Sequence, residues 1–370
     1  MRIAILADPL DNQQAGIHVF TDQLLKALDA TNSKHTYFVI RLQQTNQFQQ
    51  LIEVPLKMPA LWKGGRANRL FRQLPEKAMA LHADVVVEPA HFGPFCLPQK
   101  VKRVTIIHDL TPLLFPEWHR WHSQMLQRVM LKGILKKAAI VITNSATTNA
   151  DVISRFPFLS GKCNWIYPGN DHFFEPHQAP DILKQYTISQ PYFLCTGTIE
   201  PRKNLDVVLE AFANYRQEEG NRHQLVIAGG KGWKTKSFYQ KLQNHPYRDD
   251  IVLTGFVSKQ HLRALYSMSL ALIFPSRYEG FGLPLLEAMR CQTAVISSNR
   301  GSLSEVGGDA CLFFNPDKPL ELLKQMKAIA GDVSLRNDLI QRGCAREKAF
   351  SWEAAAKQFD GAMNHLESQP

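Results

Sequence analysis

Short runs rich in β-branched and apolar residues alternate with amphipathic stretches along nearly the whole chain, and this alternation constrains the fold more than any other feature. Buried parallel strands read as continuous apolar runs, because crossover helices cover both faces of the sheet they form. The strand candidates fall in two sets. Residues 2–8, 36–42, 83–89, 103–109, 139–145 and 163–169 make the first, and residues 192–198, 224–230, 250–256, 270–276, 293–298 and 310–314 the second. A chain of 370 residues exceeds what one hydrophobic core supports, so two consecutive open α/β sheets are expected. The proline-containing stretch 174–191 separates the sets, which places an N-terminal domain at 1–175 and a second at 176–350. Residues 351–370 have helical periodicity with no strand after them, and the pattern alone assigns them to neither domain.

No apolar run reaches the ~18 residues of a membrane span, and Asp8 interrupts the opening apolar run too early for a signal-peptide core. A cytoplasmic protein is expected. Six cysteines without a C-x-x-C pair argue against a zinc site or a disulfide framework. The net charge of +10, carried mostly by the first 175 residues, creates a field that attracts phosphates on nucleotides, nucleic acid or anionic lipid.

Ligands of open α/β sheets bind outside the carboxyl ends of the strands, so loops that follow strands hold the candidate chemistry. Gly16, near the start of a helix after the first strand, would let backbone approach a phosphate, although a plain tight turn explains a single glycine as well. His108 and Asp109 end a strand; the imidazole can bond a sugar hydroxyl or gain charge, with Asp109 able to orient it. In TGTIEPRKNL a strand ends at Thr198 and a helix begins near Asn204, with Arg202 and Lys203 at its entrance, where leaving-group charge could be met. In PSRYEGFGLPLLEAM, Glu279 and Glu287 flank a turn holding Gly280, Phe281, Gly282 and Leu283, and both carboxylates could accept from the hydroxyls of one ligand. Gly229, Gly230, Gly232, Gly255 and Phe256 mark two more loops that could hold a base or ribose.

With IHDL at 107–110, GTIEPRKNL at 197–205, GKGW at 230–233, LTGF at 253–256, EGFGLPLLEAM at 279–289 and GSLSEVGGDACLFF at 301–314, the sequence resembles the retaining family-4 glycosyltransferases of the GT-B fold. The resemblance spans most of the chain and is stronger in the second half, and bacterial mannosyl-transferring members look most similar. It implies two Rossmann-like doubly wound domains facing a cleft, with a nucleotide-sugar donor on 176–350, the acceptor on 1–175, and helix 351–370 crossing back to the N-terminal domain. It further implies that Glu287 binds the ribose and Glu279 the donor-sugar hydroxyls, while Lys203 and Arg202 hold the diphosphate and the backbone after Gly280 touches the sugar-phosphate. Gly16 would close over the phosphates and His108 approach the sugar or acceptor. Two departures stand out. Thr198 occupies a position where many relatives carry arginine, leaving Arg202 or Arg277 to supply that charge, and Cys291-Gln292 replaces a usual Cys-Gly.

The catalytic set expected is therefore His108, Lys203 and Glu279. Donor binding is expected from Gly16, Thr198, Arg202, Lys203, Gly255, Phe256, Glu279, Gly280, Phe281, Gly282, Leu283 and Glu287. No Asp-x-Asp metal motif lies in a suitable loop, so no metal or other cofactor is expected, with a nucleotide diphosphate sugar as substrate and GDP-mannose as the first choice. The expected reaction is retaining hexosyl transfer to a glycan or lipid-linked acceptor by front-face displacement. A nucleotide-sugar epimerase or hydrolase, and a non-catalytic sugar-nucleotide binder, are the alternatives. Residues 61–79 interleave Lys63, Arg66, Arg69 and Arg72 with Trp62, Leu70 and Phe71, the pattern of a peripheral contact with an anionic membrane surface or of an ordinary basic surface helix. No recognisable nucleic-acid reading motif accompanies the basic residues.

Overall fold

The computed structural model describes residues 1–12, 15–57, 65–90, 93–119, 125, 127–218 and 222–368. They form two compact units, Met1–Gly169 with Ser351–Pro370, and Asn170–Phe350. In the first unit Arg2–Leu6 (β1), Thr36–Arg41 (β2), Ile52–Pro55 (β3), Val85–Glu88 (β4), Lys102–Ile107 (β5), Ala138–Thr143 (β6) and Cys163–Trp165 (β7) pair in the order β3-β2-β1-β4-β5-β6-β7. In the second, Tyr192–Thr196 (β8), Gln224–Ala228 (β9), Ile251–Gly255 (β10), Ala271–Phe274 (β11), Ala294–Ser298 (β12) and Cys311–Phe314 (β13) pair in the order β10-β9-β8-β11-β12-β13. Every pairing is parallel. These are the two doubly wound sheets that the alternating pattern predicts. The strands flanking each point of order reversal, β1 and β4 in one sheet, β8 and β11 in the other, are buried along almost their whole length.

Each sequence candidate contains a strand, but β3 lay outside both sets. Its four residues, IEVP, form an edge with little to bury, and Glu53 turns its carboxylate to the backbone N–H groups of Thr45 and Asn46. Such a segment has neither a long apolar run nor clean alternation, and only its neighbour β2 makes it a strand.

The final helix, Trp352–Ser368, belongs to the first unit. Trp352, Ala355, Ala356, Phe359, Met363 and Leu366 form its buried stripe, in one core with Phe20, Leu24 and Leu25. Polar ties fix its register: Tyr37 Oη donates to Asp360 Oδ1 (2.8 Å), Lys102 Nζ to the Leu366 carbonyl (3.0 Å), and Lys34 pairs with Glu367 (2.6 Å). The chain leaves the first unit at Gly169 and re-enters it at Ser351, where a Cβ on Gly169 would lie 2.2 Å from Trp352 N. In the second unit, Asn170 N donates to the Phe350 carbonyl (3.1 Å) and Asn170 Nδ2 to that of Glu347 (3.1 Å). These bonds put the division at Gly169/Asn170, a few residues before the position near 175 read from the sequence.

Candidate functional site

The order reversal of the second sheet lies between β8 and β11, so the loops following these two strands open side by side, the position where open α/β sheets bind ligands. The loop after β8 runs through Gly197 into the single turn Pro201–Lys203 and then the helix Leu205–Gln217. The loop after β11 runs through Glu279 into the helix Leu283–Arg290. Asn204 joins them: in a left-handed conformation (φ 53°) and buried, it donates from Nδ2 to the carbonyls of Pro316 (2.8 Å) and Pro275 (3.3 Å). Arg277 N adds a bond to the Arg202 carbonyl (2.9 Å).

That arrangement gathers four charges. Lys203 Nζ donates to Glu279 Oε1 (2.7 Å) and lies 4.5 Å from the centre of the Phe274 ring, while Arg202 Nη1 pairs with Glu279 Oε2. Arg202 also places Nε (3.1 Å) and Nη2 (2.9 Å) on Glu200 Oε1. Glu200 is buried at the turn, and burial raises its pKa against the pull of Arg202 and Lys203. Burial would likewise raise the Glu279 carboxyl, but Arg202 and Lys203 outweigh it and bring the pKa down to about 2, leaving an obligate carboxylate. Burial draws the Lys203 pKa below its ordinary value, with Glu279 opposing.

The Glu279 loop is braced from behind. Ser302 Oγ donates to the carbonyls of Glu279 (2.9 Å) and Phe281 (2.8 Å), and a Cβ on Gly301 would meet the Glu279 carbonyl at 2.8 Å. Gly282, at φ 110°, turns the chain into the helix, whose first-turn N–H groups lack intrahelical acceptors. Glu287, one turn inside, accepts from Tyr266 Oη at Oε2 (2.9 Å), and burial holds its pKa up at about 7.

The structure therefore brings Lys203, Arg202 and Glu279 into contact. Glu287 lies on the helix that follows the same loop, and Thr198 and Gly280 lie in the two loops. The other expected residues of this unit are placed as follows. Phe281 is buried with its ring against Phe350 (centroids 5.6 Å apart), so its side chain is core and only its backbone can face a ligand. Arg277 pairs with Asp317 and places Nε on Asn204 Oδ1 (3.2 Å), which occupies the charge that Thr198 lacks. Gly255 ends β10 and Phe256 follows it, with its ring 88% exposed.

Gly16 and His108 belong to the first unit. Gly16 is exposed on the helix Ala15–Asp29, and a Cβ there would meet nothing within 4 Å, so the protein's own packing does not demand glycine. His108 sits edge-on to Phe20 (4.8 Å), with Nε2 2.7 Å from the Pro89 carbonyl, so that this nitrogen carries a proton and donates. Burial lowers its pKa and favours the neutral ring. Asp109 does not hold the imidazole in place: its Oδ1 accepts from Thr111 N (3.0 Å) and Oγ1 (2.6 Å).

The basic stretch 61–79 also changes meaning. Trp62 and Lys63 lie outside the described residues. Arg69 is 1% exposed and turned inward onto Asp8 and the Leu56 carbonyl, because an unpaired buried guanidinium would be costly. It cannot be part of a basic outer face, whereas Arg72 and Phe71 are exposed. Among the described residues no helix is long and apolar enough to cross a membrane, and no group of three or more His, Cys, Asp or Glu is placed to hold a metal ion.

Sequence reasoning assigned no role to Glu200, Asn204, Tyr266 or Ser302. Glu200 and Asn204 stood inside the quoted EPRKN run and Ser302 inside GSLSEV, but bracing roles depend on which loops meet. Nothing in the helical stretch around Tyr266 announces its hydroxyl's partner.

Comparison with known proteins adds to this geometry. Residues 180–346 match the family described as Glycosyl transferases group 1, and residues 15–172 match Glycosyltransferase Family 4. The O-antigen chain mannosyltransferase B of Escherichia coli is 32% identical over 282 residues, covering 75% of this chain and 74% of that protein. Sucrose-phosphate synthase from Thermosynechococcus elongatus superposes with a TM-score of 0.77 at 21% identity, covering 100% of this chain and 99% of its own. HepE from Anabaena, solved in complex with UDP and glucose, gives 0.76 at 16%, covering 99% and 100%.

Proposed function

The chain belongs to the family-4 glycosyltransferases of the GT-B fold, and on that footing we propose that it transfers mannose from GDP-mannose to a glycan or lipid-linked acceptor with retention of configuration. The observation that carries this reading is the meeting of Lys203 and Arg202 on Glu279 at the order reversal of the second sheet. Mannose is favoured by the mannosyltransferase named above, a relative across three quarters of the chain. A nucleotide and a sugar together in a protein of the same fold favour a nucleotide-sugar donor.

In this account the donor diphosphate takes over the cations that Glu279 now holds. Lys203 and Arg202 neutralise the charge that develops as the glycosidic bond breaks, in place of a divalent ion. Glu279, an obligate carboxylate, turns to hydroxyls of the sugar, and Glu287 accepts from the ribose. The acceptor hydroxyl attacks the face that the diphosphate leaves, and a departing phosphate oxygen takes its proton. Within the first unit, Gly16 leaves a helix start open to a phosphate group, and His108, neutral and donating to Pro89, offers its other nitrogen to a hydroxyl of the acceptor. The acceptor belongs to the first unit, with peripheral contact at an anionic membrane surface resting on Arg72 and Phe71 rather than Arg69.

Lys203→Ala tests the proposal. Turnover of labelled GDP-mannose with acceptor should fall by about 10², roughly 2.7 kcal/mol of transition-state stabilisation. Turnover near that of the unmodified protein would remove Lys203 from the chemistry. Release of free sugar or an epimer without acceptor would favour a hydrolase or epimerase instead.

A further inference from the structure

Tyr266 lies on the helix Lys259–Ser267, wholly buried, with its ring near Phe174 and its hydroxyl between two groups of different origin. On one side is Glu287 Oε2 at 2.9 Å; on the other is Thr196 Oγ1 at 3.2 Å. A phenol has one proton. Once Glu287 is ionised its carboxylate can only accept, so the phenol proton goes to it and the Thr196 hydroxyl donates to the phenol oxygen. The result is a directed chain, Thr196 to Tyr266 to Glu287, inside the protein. Thr196 is the last residue of β8, and the residues after it form the loop that carries Arg202 and Lys203. The chain thus ties the carboxylate on one loop's helix to the root of the other loop. It also engages only Oε2 of Glu287.

We propose that Tyr266, anchored by Thr196, is a positioning residue for the donor: it fixes the Glu287 carboxylate so that the other oxygen is presented to the ribose, in register with the diphosphate loop. This rests on the reading of Glu287 as the ribose acceptor given above. A buried hydroxyl left unpaired is costly, so a packing residue at this position would be served by phenylalanine; tyrosine is justified by its two partners.

The charges around Glu287 define how the role can be read. Tyr266 donates to it from one helix, Lys259 faces it from the same helix, Asp171 from the segment entering the unit, and Lys203 from the loop after β8. Burial is the largest influence on the carboxyl, holding its pKa up at about 7; the Tyr266 bond favours the ionised form, Asp171 opposes it, and the two lysines favour it. Donor affinity should then rise with pH as Glu287 ionises, and removal of the phenol should move that rise upward.

The test is calorimetric titration of the full chain with GDP-mannose between pH 5.5 and 9. The diphosphate of this ligand, esterified at both ends, has no proton to lose in that range. The unmodified protein should show a midpoint near 7, Tyr266→Phe a midpoint about one unit higher, and Glu287→Gln a flat profile. Thr196→Val should shift the midpoint in the same direction by less. A purely structural Tyr266 would lower affinity evenly without moving the midpoint, and coincident midpoints in the two proteins overturn the proposal. Failure of the unmodified protein to bind GDP-mannose at any pH, or binding with a flat profile, would instead remove the ribose reading of Glu287 and the Tyr266 role with it.

Discussion

At the level of single residues, the second unit holds two glutamates that the sequence presents as equals and the structure drives apart. Glu279, between two cations, is lowered to about 2, and Glu287, beside a phenol and largely enclosed, is raised to about 7. Their effects on stability have opposite signs. Glu279 contributes above its ordinary range, and the contribution is lost as pH falls from 4.5 towards 2. For Glu287 the folded state prefers the protonated form, so the contribution is full below its ordinary 4.5 and is lost as pH rises through 7. Glu287→Gln has no charge to bury, and thermal unfolding at pH 8 should show it more stable than the unmodified protein by about 1–2 kcal/mol, roughly 3–6 °C in Tm. At pH 4, below the ordinary carboxyl value, the two proteins should unfold together; equal Tm values at both pH values would contradict burial of the charge.

Among the elements, the loops after β8 and β9 pass each other too closely for a side chain. A Cβ on Gly229 would lie 1.9 Å from the Gly197 carbonyl, and Gly197 in turn packs on the Lys203 side chain, its own Cβ position 3.2 Å from Lys203 Cε. Gly229→Ala must therefore displace the loop that sets Lys203, and we expect a loss of about 2 kcal/mol or more in stability together with weaker donor binding, read by denaturant unfolding and titration. Unchanged binding would mean that the loop carrying Lys203 is not held by this crossing. The same scale shows what the sequence could carry. The placement of Lys203, Arg202 and Glu279 in loops that follow strands was legible because buried parallel strands are continuous apolar runs, and glycines mark the turns beyond them. The edge strand Ile52–Pro55 was not legible, since only pairing with β2 makes it a strand. Nor was the inward turn of Arg69, which a count of basic residues cannot distinguish from a solvated arginine. The coupling of Glu279 to both cations needed the strand order, because it brings together loops more than seventy residues apart.

Across the whole molecule, the chain builds the second unit only after leaving the first, then returns to finish it. The terminal helix Trp352–Ser368 puts six apolar side chains into the first unit's core. At roughly 1.5 kcal/mol or more for each large one, this is comparable to the net stability of a domain. A chain ending at Phe350 should lose the first unit's cooperative unfolding, while residues 170–350 retain protection from protease on adding GDP-mannose. A truncated chain with both transitions intact would show the helix to be dispensable. Whether the converging charges of the second unit form a donor site can be read from calorimetric titration of GDP-mannose into the unmodified protein and Lys203→Ala at pH 8. One equivalent should bind per chain, with an affinity lower by about 10-fold or more in the variant; equal affinities, or no binding to the unmodified protein, would show that these charges do not form a donor site.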